Sequence, residues 1–180
     1  MEILMIFETV EGQTRRIVEA VGKQLRAKGH GVRQCDTSER LVALSFEGID
    51  KVILAAPVHE RRHPKGFEVL VGASREQLRL LPSLIISVSL KAAFSDGLEE
   101  AQDYLTEMEM RTRFTPDQRI LAAGAVREAS YGYFESQIIK NVVLNGRSVD
   151  LIDGVHEFTD WEKLHADVDA FLEGTSLKTT

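Results

Sequence analysis

The sequence predicts an α/β fold, an open sheet of five parallel strands with helices on both faces. Three observations point there. Five short apolar runs recur along the chain, and the segments between them carry apolar residues at helical spacing. The third run, Lys51-Val52-Ile53-Leu54-Ala55-Ala56, is continuous and not alternating, as a parallel strand covered on both faces is. The first run passes into its helix through a tight turn with one glycine, Thr9-Val10-Glu11-Gly12-Gln13-Thr14. Right-handed crossovers then close strand–helix–strand units into one parallel sheet.

The elements follow in order. The first strand is Ile3-Leu4-Met5-Ile6-Phe7. The first helix runs from Gln13 to Lys28, with Ile17, Val18, Val21 and Leu25 as its apolar stripe and Lys28-Gly29 as its stop. A second strand at about Val32 to Cys35 leads into Asp36-Thr37-Ser38, and Cys35 reads as a small core residue. After the third strand comes Pro57-Val58-His59-Glu60-Arg61-Arg62-His63-Pro64, bounded by prolines and rich in basic side chains. Phe67, Leu70 and Val71 mark the next helix; Ser74 with Gln77 reads as a capping box that opens a separate turn. Strand four is Leu84 to Leu90. Asp96 reads as the N-cap of a helix that buries Leu98, Ala101, Leu105 and Met108. Thr115-Pro116-Asp117 is turn chemistry before strand five, Ile120 to Val126. Residues 127–155 form an excursion that a minimal sheet of this kind does not need. It carries Tyr131, Tyr133 and Phe134, then an apolar helical run with Ile138, Ile139, Val142 and Val143. Thr159-Asp160-Trp161-Glu162 reads as a second capping box, and the last helix buries Trp161, Leu164, Val168, Phe171 and Leu172.

At 180 residues the chain suits one domain, residues 1–174, with 127–155 inserted and 175–180 as a frayed tail. Its single cysteine excludes an internal disulfide framework and a cysteine-rich metal site. A net charge of −6 argues against nucleic acid as a partner. Met1 leads straight into strand pattern, so no signal peptide is expected, and no apolar run reaches the ~18–20 residues of a membrane span. A cytoplasmic address follows.

The turn after the first strand has the chemistry of an anion site. Free N–H groups and the positive end of the helix dipole converge there. Thr9 and Thr14 add hydroxyls, and Gly12 permits close approach of backbone to a phosphate. The lysine of a Walker A loop is missing, and so is the dinucleotide fingerprint G-x-G-x-x-G. A terminal monophosphate remains. A receiver domain would need an aspartate where Ala55-Ala56-Pro57 stands, and a serine hydrolase would need a G-x-S-x-G elbow.

T-x-x-G-x-T after the first strand resembles the FMN-phosphate loop of the flavodoxin family. The longer Thr9-to-Arg15 stretch resembles that of the menaquinone-dependent protoporphyrinogen dehydrogenases within it. Ala55-Ala56-Pro57-Val58 entering a His/Arg loop, Ser87-Val88-Ser89-Leu90, Ala123-Gly124-Ala125-Val126-Arg127 and Thr159-Asp160-Trp161-Glu162 all have counterparts in that pattern, in the same order. The resemblance implies a three-layer flavodoxin-like sandwich with strand order 2-1-3-4-5, a helical insertion after strand five, and FMN as cofactor. It implies FMN contacts from Thr9, Val10, Glu11, Gly12, Gln13 and Thr14, and from Pro57, Val58, His59, His63, Ser89 and Leu90. It also implies two-electron transfer between a hydrophobic substrate, such as a porphyrinogen, and a quinone. His59, His63 and Arg127 are the catalytic candidates. A flavodoxin-type one-electron carrier and a non-catalytic flavin-binding protein are the alternatives.

The basic loop favours the enzyme, because positive potential eases full reduction of a flavin and could hold substrate carboxylates. No metal is expected, since His59 and His63 sit in a loop without a clear third ligand. Homo-oligomerisation and weak peripheral contact at the inner face of a membrane stay open. Four residues depart from the family pattern: Glu8, Pro57, and Glu128 and Ser130, which dilute an aromatic and basic pattern after Arg127. Glu8 precedes the phosphate loop, where a carboxylate ~4 Å from a phosphate costs about 4 kcal/mol at an effective dielectric of 20. Glu8 is therefore expected to point away. Pro57 removes an N–H at the flavin-facing loop.

Overall fold

A computed structural model describes residues 1–39, 44–127 and 155–174. The strands are β1 (Glu2–Phe7), β2 (Gly31–Asp36), β3 (Lys51–Pro57), β4 (Ser83–Ser89), β5 (Gln118–Ala123), β6 (Ala125–Arg127) and β7 (Val155–Glu157). The helices are α1 (Gln13–Ala27), α2 (Lys65–Ala73), α3 (Arg75–Leu78), α4 (Leu98–Thr112) and α5 (Trp161–Glu173). Two short 3-10 turns, Lys91–Ala93 and Ser95–Gly97, join β4 to α4.

Strands β1 to β5 form one parallel sheet in the order β2-β1-β3-β4-β5. This is the order implied by the resemblance. Side chains alternate across a strand, so the sheet sorts its residues into two cores. Ile3, Met5, Phe7, Ile53, Ile86 and Ile120 pack with Ile17, Val21 and Leu25 of α1 and with Leu164, Val168 and Phe171 of α5. Leu4, Ile6, Leu54 and Ile85 pack on the other face with Phe67 and Val71 of α2 and Leu105 and Met108 of α4. Truncating one of these fully buried leucines to alanine would cost about 2–5 kcal/mol.

Several local expectations are corrected. Strand five is two strands, and they part at Gly124. The Gly124 N–H still bonds to Ser89 O on β4 at 3.1 Å, while its own carbonyl accepts from Phe158 N–H at 3.1 Å. Beyond that point β6 leaves the main sheet and pairs antiparallel with β7, Val126 opposite His156. The cap of α5 is Asp160, whose carboxylate accepts from Lys163 N–H at 2.9 Å. Thr159 spends its hydroxyl on the Ala123 carbonyl at 2.8 Å, where among the described residues β5 has no further strand beside it. Ser74 precedes α3 but makes no side-chain cap bond. Asp96 lies in the second 3-10 turn and Gly97 is the N-cap of α4, so Leu98 begins the helix on its exposed side, 37% accessible.

The helical insertion, with Tyr131, Tyr133, Phe134, Ile138, Ile139, Val142 and Val143, and the tail from Thr175 lie outside the described residues. A cleft of about 880 Å³ runs along the outer edge of β5 between α4 and α5. Its lining includes none of the residues from Thr9 to Thr14, so it is separate from the turn between β1 and α1.

Candidate functional site

The turn between β1 and α1 opens at the carboxyl end of the sheet, where the strand order reverses around β1 and β3. Gly12 is the N-cap of α1 and has φ 88°, a conformation in which a β-carbon is strained. Its N–H bonds to Thr9 Oγ1 at 3.1 Å, which closes the turn. Its carbonyl accepts the first helical bond, from Arg16 N–H at 3.1 Å. Thr14 and Arg15 precede that bond, so their N–H groups have no acceptor within the helix. No acidic residue stands in the first turn of α1, leaving its dipole uncompensated from within. Thr14 itself is 1% exposed, and its hydroxyl has no hydrogen-bond partner. An unmet buried hydroxyl costs about 1–3 kcal/mol. A phosphate oxygen is the acceptor that this arrangement lacks, so the turn fits the terminal phosphate of FMN.

The acids near the turn are held off it. Glu8 continues the β1 alternation onto the α2 face, where it accepts from Thr37 Oγ1 at 2.5 Å and approaches Gly66 at the start of α2. It therefore does not lie on the α1 side of the sheet. Glu11 pairs with His59 at 3.7 Å. Glu157, from β7, takes a hydrogen bond from the Gln13 side-chain amide at 2.5 Å and an ion pair from Arg16 at 3.3 Å. The same Gln13 amide donates to Thr159 Oγ1 at 2.9 Å. Arg15 turns outward to the buried Asp36 at 2.5 Å. Val10 projects from the turn, 54% exposed.

The loop after β3 begins at Pro57, opposite Val88 in the sheet. Its missing N–H costs no bond to β4, since Val58 N–H makes that bond to Val88 O at 2.7 Å. A miniature hairpin follows. His59 and Arg62 exchange two backbone bonds of 2.9 and 3.0 Å around Glu60 and Arg61, both at positive φ (48° and 65°). Holding two non-glycine residues there costs about 1–2 kcal/mol each. The loop is not the bare cationic rim that its composition suggests. His59 faces Glu11, Arg62 meets the buried Glu68 at 2.6 Å, and Arg61 meets Glu100 at 2.6 Å. His63 is 1% exposed, with Nε2 at 2.9 Å from Ser87 Oγ. Burial pushes its pKa down to about 4, so the ring is neutral near pH 7.

On the other side, Ser89 is buried and its Oγ accepts from Ala92 N–H at 3.3 Å, which folds the loop after β4 back on itself. Leu90 follows it, with Leu90 and Ser89 both close to Gly124. Phe158 meets Phe94 edge-on at 5.5 Å and His156 at a tilt at 4.4 Å between ring centres, beside the point where β6 diverges. The structure thus gathers the Thr9–Thr14 turn, Pro57–His59 and Ser89–Leu90 at one end of the sheet. His63 is nearby but inside, on the α2–α4 face. The side chain of Arg127 lies outside the described part. Sequence reasoning overlooked Glu157, Glu100, Lys91 and Tyr104, since nothing local ties them to loops far away in the chain. Among the described residues no cluster of histidine, cysteine or acidic groups could hold a metal.

Comparison with known proteins adds an independent line. A family model described as Flavodoxin domain matches residues 4–148. Over 168 residues the chain is 27% identical to the protoporphyrinogen IX dehydrogenase [quinone] of Escherichia coli (strain K12), covering 91% of each chain. Among solved structures it is similar to a short-chain flavodoxin associated with a bacterial microcompartment. That match has TM-score 0.53 and 10% identity, and covers 82% of this chain and 99% of that one.

Proposed function

The chain belongs to the Flavodoxin domain family, and from that premise we propose that it binds FMN and acts as an oxidoreductase like protoporphyrinogen IX dehydrogenase, moving two electrons between a hydrophobic substrate and a quinone. The observation that carries the cofactor is the partnerless Thr14 hydroxyl, buried at the N-terminus of α1 beside Gly12. The relation to the E. coli enzyme, over 91% of both chains, supports the reaction class.

In this reading Thr9 and Thr14 hold the phosphate with their hydroxyls, Gln13 and Thr14 with backbone N–H groups, and Gly12 lets the backbone come close to it. Pro57, Val58 and His59 line one side of the ring, and Ser89 and Leu90 the other. When bound, FMN supplies a ring that takes up and releases electrons with protons. The chain's part is to orient it, keep water from its faces and set the charge around it. Apolar and small residues meet that need on both loops. A quinone acceptor would bring the protein to a membrane surface. Among the described residues no helix is long and apolar enough to cross one.

One observation favours the runner-up, a one-electron carrier. The hairpin guanidiniums of Arg62 and Arg61 face the carboxylates of Glu68 and Glu100, which weakens the positive field that assists full reduction. Two measurements decide. The purified protein should take up FMN near one per chain, and a preparation that neither carries nor quenches FMN would end the proposal. Oxidation of protoporphyrinogen with a quinone acceptor should then proceed catalytically; a flavin-loaded protein without that turnover, reduced in separate one-electron steps, would be the carrier.

A further inference from the structure

The two loops that flank the ring in this reading come from different strands, and one carboxylate holds both. Glu100 lies in the first turn of α4. Its Oε1 accepts from Arg61 Nη1 at 2.6 Å, and its Oε2 pairs with Lys91 Nζ at 2.8 Å. Arg61 belongs to the hairpin after β3, Lys91 to the 3-10 turn after β4. Tyr104, one helical turn further along α4, donates its hydroxyl to Glu100 and presents its ring to the Arg61 guanidinium at 5.3 Å. The hydrogen bonds from Lys91 and Tyr104 hold the Glu100 carboxyl below its ordinary pKa, so it is charged when it meets both cations.

Two further features show why the tie matters. The hairpin has Glu60 and Arg61 at positive φ, and needs outside holds to keep that shape. Among the described residues Glu11, Glu68 and Glu100 meet it, and Glu100 also reaches the loop after β4 through Lys91. That loop is seated against the start of α4 so closely that a β-carbon on Gly97 would stand 2.4 Å from the Lys91 carbonyl oxygen.

We propose that Glu100 is a positioning residue of the site, which fixes the separation of the two ring-flanking loops and offsets part of the positive charge they bring. The proposal rests on the FMN reading of these loops. Arg61 is 70% exposed in its side chain, so the pair adds little to global stability. Its loss is read locally, in the hairpin and in the charge beside the ring.

The test compares Glu100→Gln with Glu107→Gln, a variant of equal charge change on the same helix whose partner is Arg111. In the flavin-free protein, hydrogen exchange at the His59 and Arg62 amides should quicken about tenfold in E100Q and stay at the wild-type rate in E107Q. With FMN bound, E100Q should release it about tenfold faster. Its midpoint potential should move positive, because Arg61 and Lys91 are left unbalanced. Equal exchange rates and equal potentials in E100Q, E107Q and wild type would overturn the assignment. Equal shifts in both variants would do so too, since they would report net charge alone. Wild-type protein that takes up no FMN would defeat the cofactor reading, while faster exchange confined to E100Q would still uphold the tie between the loops.

Discussion

Replacing Thr14 with valine separates the structural and binding roles of one hydroxyl, because the two effects have opposite signs. Valine matches threonine in shape and lacks only the oxygen. In the flavin-free protein that oxygen is buried, on a residue 1% exposed, and bonds to nothing. Its removal lifts a desolvation cost of about 1–3 kcal/mol. The variant should therefore be more stable by about 1 kcal/mol, a rise of roughly 2–4 °C in melting temperature for a chain of this size. With FMN present the same change deletes a hydrogen bond to a charged phosphate, about 1.5–3 kcal/mol, so the dissociation constant should rise roughly 10- to 150-fold. Urea denaturation gives the first quantity, and quenching of FMN fluorescence gives the second. Saturating flavin should also protect the variant less than wild type, in proportion to the lost affinity. A variant that loses stability without flavin, and binds FMN as wild type does, would refute the reasoning. The hydroxyl would then be a structural group with a partner of its own.

Gly12→Ala should fold, since its β-carbon meets nothing within 4 Å, but the positive φ of 88° should cost about 1–2 kcal/mol in urea denaturation. Gly12→Asp adds a carboxylate where the phosphate would lie and should leave no measurable FMN quenching. His63 governs an acid window. Its pKa is about 4 folded against 6.5 unfolded, with burial as the leading cause, so the unfolded chain binds a proton that the folded chain refuses. Stability should fall as pH drops from about 6.5 to about 4, by up to about 3 kcal/mol. The contribution is fully present above pH 6.5. His63→Gln should flatten that part of the stability profile, and an unchanged slope would place the ring in contact with water.

Much of the architecture was legible because it depends on short-range pattern. The apolar run of β1, the stripe Ile17, Val18, Val21, Leu25 and the glycine at position 12 each state their own conformation, and all are placed as the pattern requires. The T-x-x-G-x-T turn reads as an anion site from sequence because its donors lie within one turn of helix.

What tertiary structure decided is the state of groups whose partners are remote. A loop with His59, Arg61, Arg62 and His63 reads as positive, yet Arg61 finds Glu100 39 residues away, and His63 is drawn inside and neutral. Gln13 meets Glu157 across 144 residues because β7 returns beside the start of α1. The caps followed the same rule. Thr159 and Asp160 are both good N-caps by composition, and the Ala123 carbonyl at the end of β5 claimed the Thr159 hydroxyl, leaving Asp160 to start α5. Propensity and periodicity act over a few residues, so sequence can determine where helices and strands form. Charge, burial and hydrogen-bond satisfaction depend on which elements the crossovers bring together, and only the folded chain settles them.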